Sequence, residues 1–242
     1  MLELYNAAAS TCSQRVRQAL FEKGLQYTDK VLDFAKGEHI SPEFLKLNPN
    51  GTVPALVHDG KAIPDSSVIM EYLEDVFPDT PALRPRDHHE ASRMRAWIQY
   101  IDEIQTPAIR YPSFQLVFRH GFSKMPRDKY EAMAARRPIR KHFFLVQGPD
   151  GFPKDQLDAA MELIDQSLDR MEEALASGPW ILGNMFSIVD ISCLPSIVRL
   201  EDLEMMDLIN SRPRLADWYA RCQERPSFAA AYYPGSRVAL KR

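Results

Sequence analysis

The spacing of apolar positions along this chain changes character once, near residue 78. Before that point short strand-like runs alternate with helical stripes. Leu2 to Tyr5 reads as a strand, and Val16, Ala19 and Leu20 form a helical stripe behind the cap-type residues Ser10 to Ser13. Gly24 stops that helix, Tyr27 to Leu32 reads as a second strand, and Ser41-Pro42-Glu43 opens a short helix with proline in its first turn. Two more strands, Ala55 to His58 and Lys61 to Ile63, flank Asp59-Gly60, a two-residue hairpin signal. Asp65-Ser66 then precedes a helix carrying Val68, Ile69, Tyr72, Leu73 and Val76. A βαβ unit, a helix, a ββ hairpin and a last helix predict a mixed sheet with helices packed on it, a thioredoxin-like α/β arrangement.

Three prolines between Phe77 and Pro85 break helix and read as a linker. Beyond it strand signals stop. Trp97, Ile98, Ile101 and Ile104 recur at helical spacing, as do Leu157, Met161, Ile164, Leu168, Met171 and Leu175, and further helices are expected at Ile188 to Leu200 and Pro213 to Arg225. The expected layout is a sheet-bearing domain at 1–78, a linker at 79–87 and an all-helical domain at 88–242. Thr106 to Pro153 mixes aromatics (Tyr111, Phe114, Phe118, Phe122) with Arg136, Arg137, Arg140 and Lys141. Two readings fit it: core aromatics under a solvated basic face, or a long irregular wall over a substrate pocket.

Composition narrows the class. With 45% hydrophobic and 26% charged residues over 242 positions, the chain reads as globular, and its net charge of -3 gives no reason to expect nucleic acid or anionic membrane as partner. No apolar run approaches the ~20 residues of a membrane span. The N-terminal residues lack the pattern of a signal peptide. Cys12, Cys193 and Cys222 are too scattered for a disulfide framework and no Cys/His cluster has zinc spacing, so a reducing, cytoplasmic setting and no metal are expected.

Four features of the first domain suit one kind of ligand. Ser10-Thr11-Cys12-Ser13 sits between strand and helix, where free backbone N–H groups favour an anion and a hydroxyl can donate to a thiolate; an ordinary helix cap is the alternative. At Val53-Pro54 a cis bond would expose the Val53 backbone to a peptide, whereas a trans turn proline would not. Asp65 and Ser66 can take an ammonium and a carboxylate, or serve only as caps. His39, with Lys36 nearby, can meet a second carboxylate or be a solvated loop histidine.

Ser10-Thr11-Cys12-Ser13-Gln14-Arg15-Val16-Arg17 resembles the serine-cysteine signature of zeta-class glutathione transferases, although Thr11 stands for the usual second serine and Gln14 for an aromatic. His39, Ser41, Phe44, Leu47-Asn48-Pro49 and Val53-Pro54-Ala55-Leu56 resemble the theta and zeta glutathione site, and Phe186-Ser187-Ile188-Val189-Asp190-Ile191 resembles the family's structural capping box, in which Ser187 caps the third helical position. Arg137-Pro138-Ile139, Gly151-Phe152-Pro153 and Tyr72 to Pro78 are similar to bacterial β-etherases, glutathione transferases that cleave β-aryl ethers of lignin-derived compounds. The resemblance implies a homodimer with glutathione as co-substrate. Catalysis would fall to Ser10, Cys12 and Ser13, with Ser10 as the thiolate's partner. Glutathione would lie on Ser10, His39, Thr52, Val53, Pro54, Asp65 and Ser66, and a hydrophobic, aromatic electrophile against Tyr100, Tyr111, Phe114 and Phe118. Conjugation, ether cleavage and maleyl-type isomerisation stay open. So do a Cys12-dependent thiol–disulfide oxidoreductase and a non-catalytic binding module.

Overall fold

A computed structural model describes residues 1–240; Lys241 and Arg242, the end of the second expected domain, lie outside the described residues. The chain opens β1 (Leu2–Asn6), α1 (Thr11–Glu22), β2 (Thr28–Val31), α2 (Pro42–Leu47), β3 (Ala55–His58), β4 (Lys61–Pro64) and α3 (Ser66–Val76). The sheet order is β2-β1-β3-β4, with β1 and β2 parallel and the other two pairings antiparallel. This is the mixed, thioredoxin-like sheet that the sequence predicts. The β3–β4 hairpin turns on Asp59 and Gly60, both at positive φ (49° and 80°), which explains the glycine. Leu2, Leu4, Val16, Leu20, Leu56, Ile69 and Leu73 fill the space between the sheet and α1 and α3.

The remainder is helical: α4 (His88–Tyr100), α5 (Thr106–Leu116), α6 (Arg127–Ala135), α7 (Lys141–Gln147), α8 (Lys154–Ala174), α9 (Ile188–Asp202), α10 (Asp207–Asn210), α11 (Pro213–Glu224) and α12 (Pro226–Ala231). No described helix is long and apolar enough to cross a membrane. A single turn of π-helix, Ile101–Gln105, joins α4 to α5. The sequence gives no sign of it, because Ile98, Ile101 and Ile104 keep an ordinary helical spacing.

Of the two readings of residues 106–153, the irregular wall gives way to the core of aromatics, carried on α5, α6 and α7. Their aromatics form a small core of their own, in which Tyr130, Ala134 and Phe144 are packed by Phe114, Phe122, Met125, Met133 and Phe143. Tyr130 closes it by donating to the Phe144 carbonyl at 2.9 Å.

The two halves are locked together. α1 packs on α9 and α12, and its Ala19 joins the large helical core. Lys23 and Glu74, both buried, pair at 2.6 Å, and Glu74 also accepts from the Leu83 N–H at 3.2 Å. Leu83 O in turn accepts from Ile188 N–H at 2.9 Å, so the proline-rich segment is anchored through both backbone groups of Leu83. At the start of α9 the expected capping box is present: Ser187 N–H donates to Asp190 at 3.0 Å, and the Ser187 hydroxyl accepts from the backbone of the first turn, Val189 N–H at 3.2 Å included.

Candidate functional site

The loop from Ala7 to Ser10 is held from behind by two buried arginines. Arg17 of α1 donates to Asn6 Oδ1 at 2.7 Å and to the Ala8 carbonyl at 2.7 Å, and Arg199 of α9 donates to the Ala9 carbonyl at 2.7 Å. With these carbonyls turned inward, the loop delivers Ser10 as the N-cap of α1. Ser10 Oγ accepts from Ser13 N–H at 3.2 Å. That bond uses a lone pair and leaves the hydroxyl proton free to donate.

Ser13, named with Ser10 and Cys12 as a catalytic candidate, is fully buried, and its hydroxyl accepts from Ala7 N–H at 3.3 Å. Its place is in the turn, out of reach of a ligand. Cys12 is half-buried on the first turn of α1, within electrostatic reach of Arg15, Arg110 and Arg140.

Asp65 caps α3 from a backbone at φ 76°, ψ 131°, a conformation that a non-glycine residue rarely adopts. Its Oδ1 accepts from Ser67 N–H at 2.9 Å and Val68 N–H at 3.4 Å, so the cap role is real, while the carboxylate remains exposed. Next to it the buried Ser66 hydroxyl lies 3.5 Å from Arg15 Nη1. Arg15 thereby joins the N-terminal ends of α1 and α3. The same guanidinium pairs with Asp102 at 2.6 Å and donates to Thr106, and Asp102 also accepts from the Ser67 hydroxyl. This network, which no sequence motif announces, ties both N-termini to the π turn.

The Val53-Pro54 bond is cis. Among the described residues neither the N–H nor the C=O of Val53 pairs with another backbone group. Thr52 O accepts from Asn48 Nδ2 at 2.6 Å, which fixes the turn ahead of it.

His39 lies not on an open loop but in a 3-10 turn, Glu38–Ile40, with only 2% of its surface exposed. Its ring packs on Phe34 at 4.1 Å between centroids, and Arg137 Nη1 approaches its Nε2 at 2.8 Å. Burial, and then the Arg137 charge, lower its pKa to about 4. The imidazole is therefore neutral at pH 7, accepts from Arg137 and carries its own proton on Nδ1, which has no partner among the described residues. Arg137 reaches it from the turn between α6 and α7, where Pro138 lies close to Gly51. The sequence marks Arg137 as one of several basic residues and as part of the β-etherase-like stretch Arg137-Pro138-Ile139, but not as a partner of His39.

Of the expected electrophile-pocket residues, Tyr111 stands beside Arg110 and against Phe143 and Phe152, at 5.5 and 4.7 Å. Phe118 reaches towards the loop-bracing Arg199, whose guanidinium lies 5.7 Å from its ring. Phe114 is taken up by the aromatic core, 5.0 Å from Phe143 and 5.5 Å from Phe144. Tyr100 is turned onto α8, its hydroxyl 3.0 Å from Ser167 and its ring 4.0 Å from Arg170, and so belongs to helix packing.

Comparison with known proteins bears on the family. Residues 9–76 match the family model of the glutathione S-transferase N-terminal domain, and residues 154–221 that of the C-terminal domain. Protein LigF of Sphingobium sp. strain SYK-6 is 30% identical over 246 residues, covering 99% of this chain and 96% of LigF. The crystal structure of β-etherase LigF from that strain matches with a TM-score of 0.87 at 29% identity, over 96% of this chain and 98% of that one. A tetrachloro-p-hydroquinone reductive dehalogenase of Sphingobium chlorophenolicum is 28% identical over 239 residues, 95% of each chain. The chain belongs to the glutathione S-transferase family.

Proposed function

We propose that the protein binds glutathione along the face formed by the N-termini of α1 and α3 and transfers its sulfur to an aromatic electrophile, with cleavage of β-aryl ethers as the reaction. The observation that carries this reading is the Ser10 hydroxyl, whose acceptor side holds Ser13 N–H while its proton is left for a thiolate. Donation to the charged form favours the thiolate, and the free amides at the start of α1 act in the same sense. Asp65 would take the γ-glutamyl ammonium and Ser66 its carboxylate. Val53 would pair with the cysteinyl backbone, and Arg137 with His39 would take the glycyl carboxylate. The unpartnered Nδ1–H of His39 fits a ligand acceptor there.

In the reaction the thiolate attacks the β-carbon, a C–S bond forms, the C–O bond breaks, and an aryloxide leaves and takes up a proton. The protein supplies thiolate and proximity. Residues 1–78 serve as glutathione domain and 88–242 as electrophile domain, and a cytoplasmic homodimer acting on lignin-derived aromatics completes the proposal. The similarity to LigF supports the ether substrate.

One observation favours a second reading. Cys12 is half-buried on the first turn of α1 near three arginines, a place from which it could itself carry out thiol–disulfide exchange. Ser10→Ala and Cys12→Ser variants, assayed with glutathione on a β-aryl ether and on chlorodinitrobenzene, separate the two. Loss of turnover in Ser10→Ala, with the ether cleaved by Cys12→Ser, supports the transferase. The reverse pattern transfers the role to Cys12.

A further inference from the structure

Buried arginines of this chain are paired almost throughout. Arg15 holds Asp102 and Thr106, Arg17 holds Asn6 and loop carbonyls, and Arg199 holds Ala9 O and lies 3.7 Å from Asp202. Arg110 on α5 and Arg140 at the start of α7 are different. Among the described residues neither guanidinium meets a carboxylate or a carbonyl, although both are withdrawn from solvent far enough for burial to lower their pKa, to about 10 for Arg110, where the Arg140 charge adds to the effect. Two like charges within electrostatic reach of each other and partly desolvated are unfavourable without an anion.

Their surroundings point to the kind of anion. The Arg110 guanidinium lies 5.7 Å from the Phe143 ring. Phe143 and Phe152 are 5.0 Å apart, and Tyr111 stands against both. Both arginines also sense Cys12 on the first turn of α1. A cation and aromatic faces therefore meet at Arg110 and Phe143, on the side of α5 within electrostatic reach of the start of α1. Arg137, from the same turn as Arg140, is already engaged by His39 and by the Phe144 ring at 4.2 Å.

We propose that Arg110 and Arg140 form a carboxylate seat in the electrophile pocket, so that the second substrate is an aromatic acid. The proposal rests on the transferase reading for the position of the pocket. A planar carboxylate suits two guanidinium forks, and the rings would cover the arene.

The test compares a chlorodinitrobenzoate with its neutral carboxamide; conjugation of either forms one C–S bond and releases chloride. The wild-type protein should prefer the benzoate. In Arg110→Gln and Arg140→Gln the benzoate-to-carboxamide ratio of kcat/KM should fall about tenfold, the size of one charge-assisted contact. The exposed Arg136→Gln, in the same turn, should leave the ratio unchanged. A ratio that stays constant while both rates fall would assign the arginines to the thiolate and overturn the proposal. Calorimetry with the benzoate alone reads the seat without any turnover: binding lost in the double variant supports it, and wild-type binding no tighter than that of the carboxamide sinks it. Titration with glutathione in the same instrument reports separately on the transferase reading.

Discussion

The guanidinium of Arg137 donates to Nε2 of His39 across 2.8 Å, joining residues 98 positions apart and fixing the histidine as a neutral acceptor. The cation at this end of the proposed glutathione groove is therefore the arginine. Arg137→Ala should raise the KM for glutathione by about tenfold, as expected for a lost charge-assisted bond to a carboxylate, with kcat less affected.

The same pair sets a pH dependence. The folded pKa of His39, about 4, lies below the ordinary 6.5, so the unfolded chain takes up the proton first. The contribution is present in full above pH 6.5 and is lost as pH falls through about 4. Urea midpoints should thus drop between pH 7 and pH 5 more steeply in the wild type than in His39→Gln. Equal slopes would place the titration of His39 elsewhere.

The Arg15–Asp102 pair supports the other end of the groove. Asp102→Ala leaves a guanidinium with 2% side-chain exposure facing only hydroxyls. Loss of one partner of a buried pair costs roughly 3–5 kcal/mol, but the Asp102 side chain is 36% exposed and solvent screens it. A loss of about 1–3 kcal/mol in urea unfolding is expected, with weaker glutathione binding because Ser66 and Ser67 share the network. Unchanged binding would confine Asp102 to stability.

Local chemistry made much of this architecture readable. Asp59-Gly60, Ser41-Pro42 and Ser187 with Asp190 each state a turn or a cap within a few residues, and the structure uses them at those places. Ser10 and Asp65 were readable for the same reason, since both are caps. The rest depends on distance or on hidden register. Arg137 meets His39 only after α6 and α7 have folded over the first domain. The helices of residues 106–153 escape recognition because Pro112 lies inside α5 and Pro126 and Pro138 interrupt the apolar rhythm, while the aromatics pack on one another. Tyr100, an apparent pocket residue, faces Ser167 because its side of α4 packs on α8.

Asp190 is the polar centre of the helical half. Fully buried, it accepts from Ile181 N–H at 3.0 Å, Ser187 N–H at 3.0 Å and Trp218 Nε1 at 2.9 Å. Asp190→Ala strands these donors and should cost about 3–5 kcal/mol, whereas Ser187→Ala, which removes one cap, should cost about 1 kcal/mol. Comparable losses in the two variants, measured by chemical denaturation, would show that the cap and not the hub carries the stability.

Gly51 is where the α6–α7 turn approaches the proposed glutathione face. It sits at φ 60°, and a Cβ there would lie 3.0 Å from Pro138 Cδ and 3.3 Å from Ile40 Cγ2. Gly51→Ala therefore combines two effects. The left-handed backbone costs about 1–2 kcal/mol with any side chain, and the contact pushes Pro138 outward, carrying Arg137 away from His39. The expected result is a modest loss of stability together with a higher glutathione KM. The double variant Gly51→Ala/Pro138→Ala separates the two: removing the proline ring relieves the contact but not the backbone strain. Binding should recover while stability does not, and a KM that stays high in the double variant would show that the turn does not hold Arg137 through Pro138.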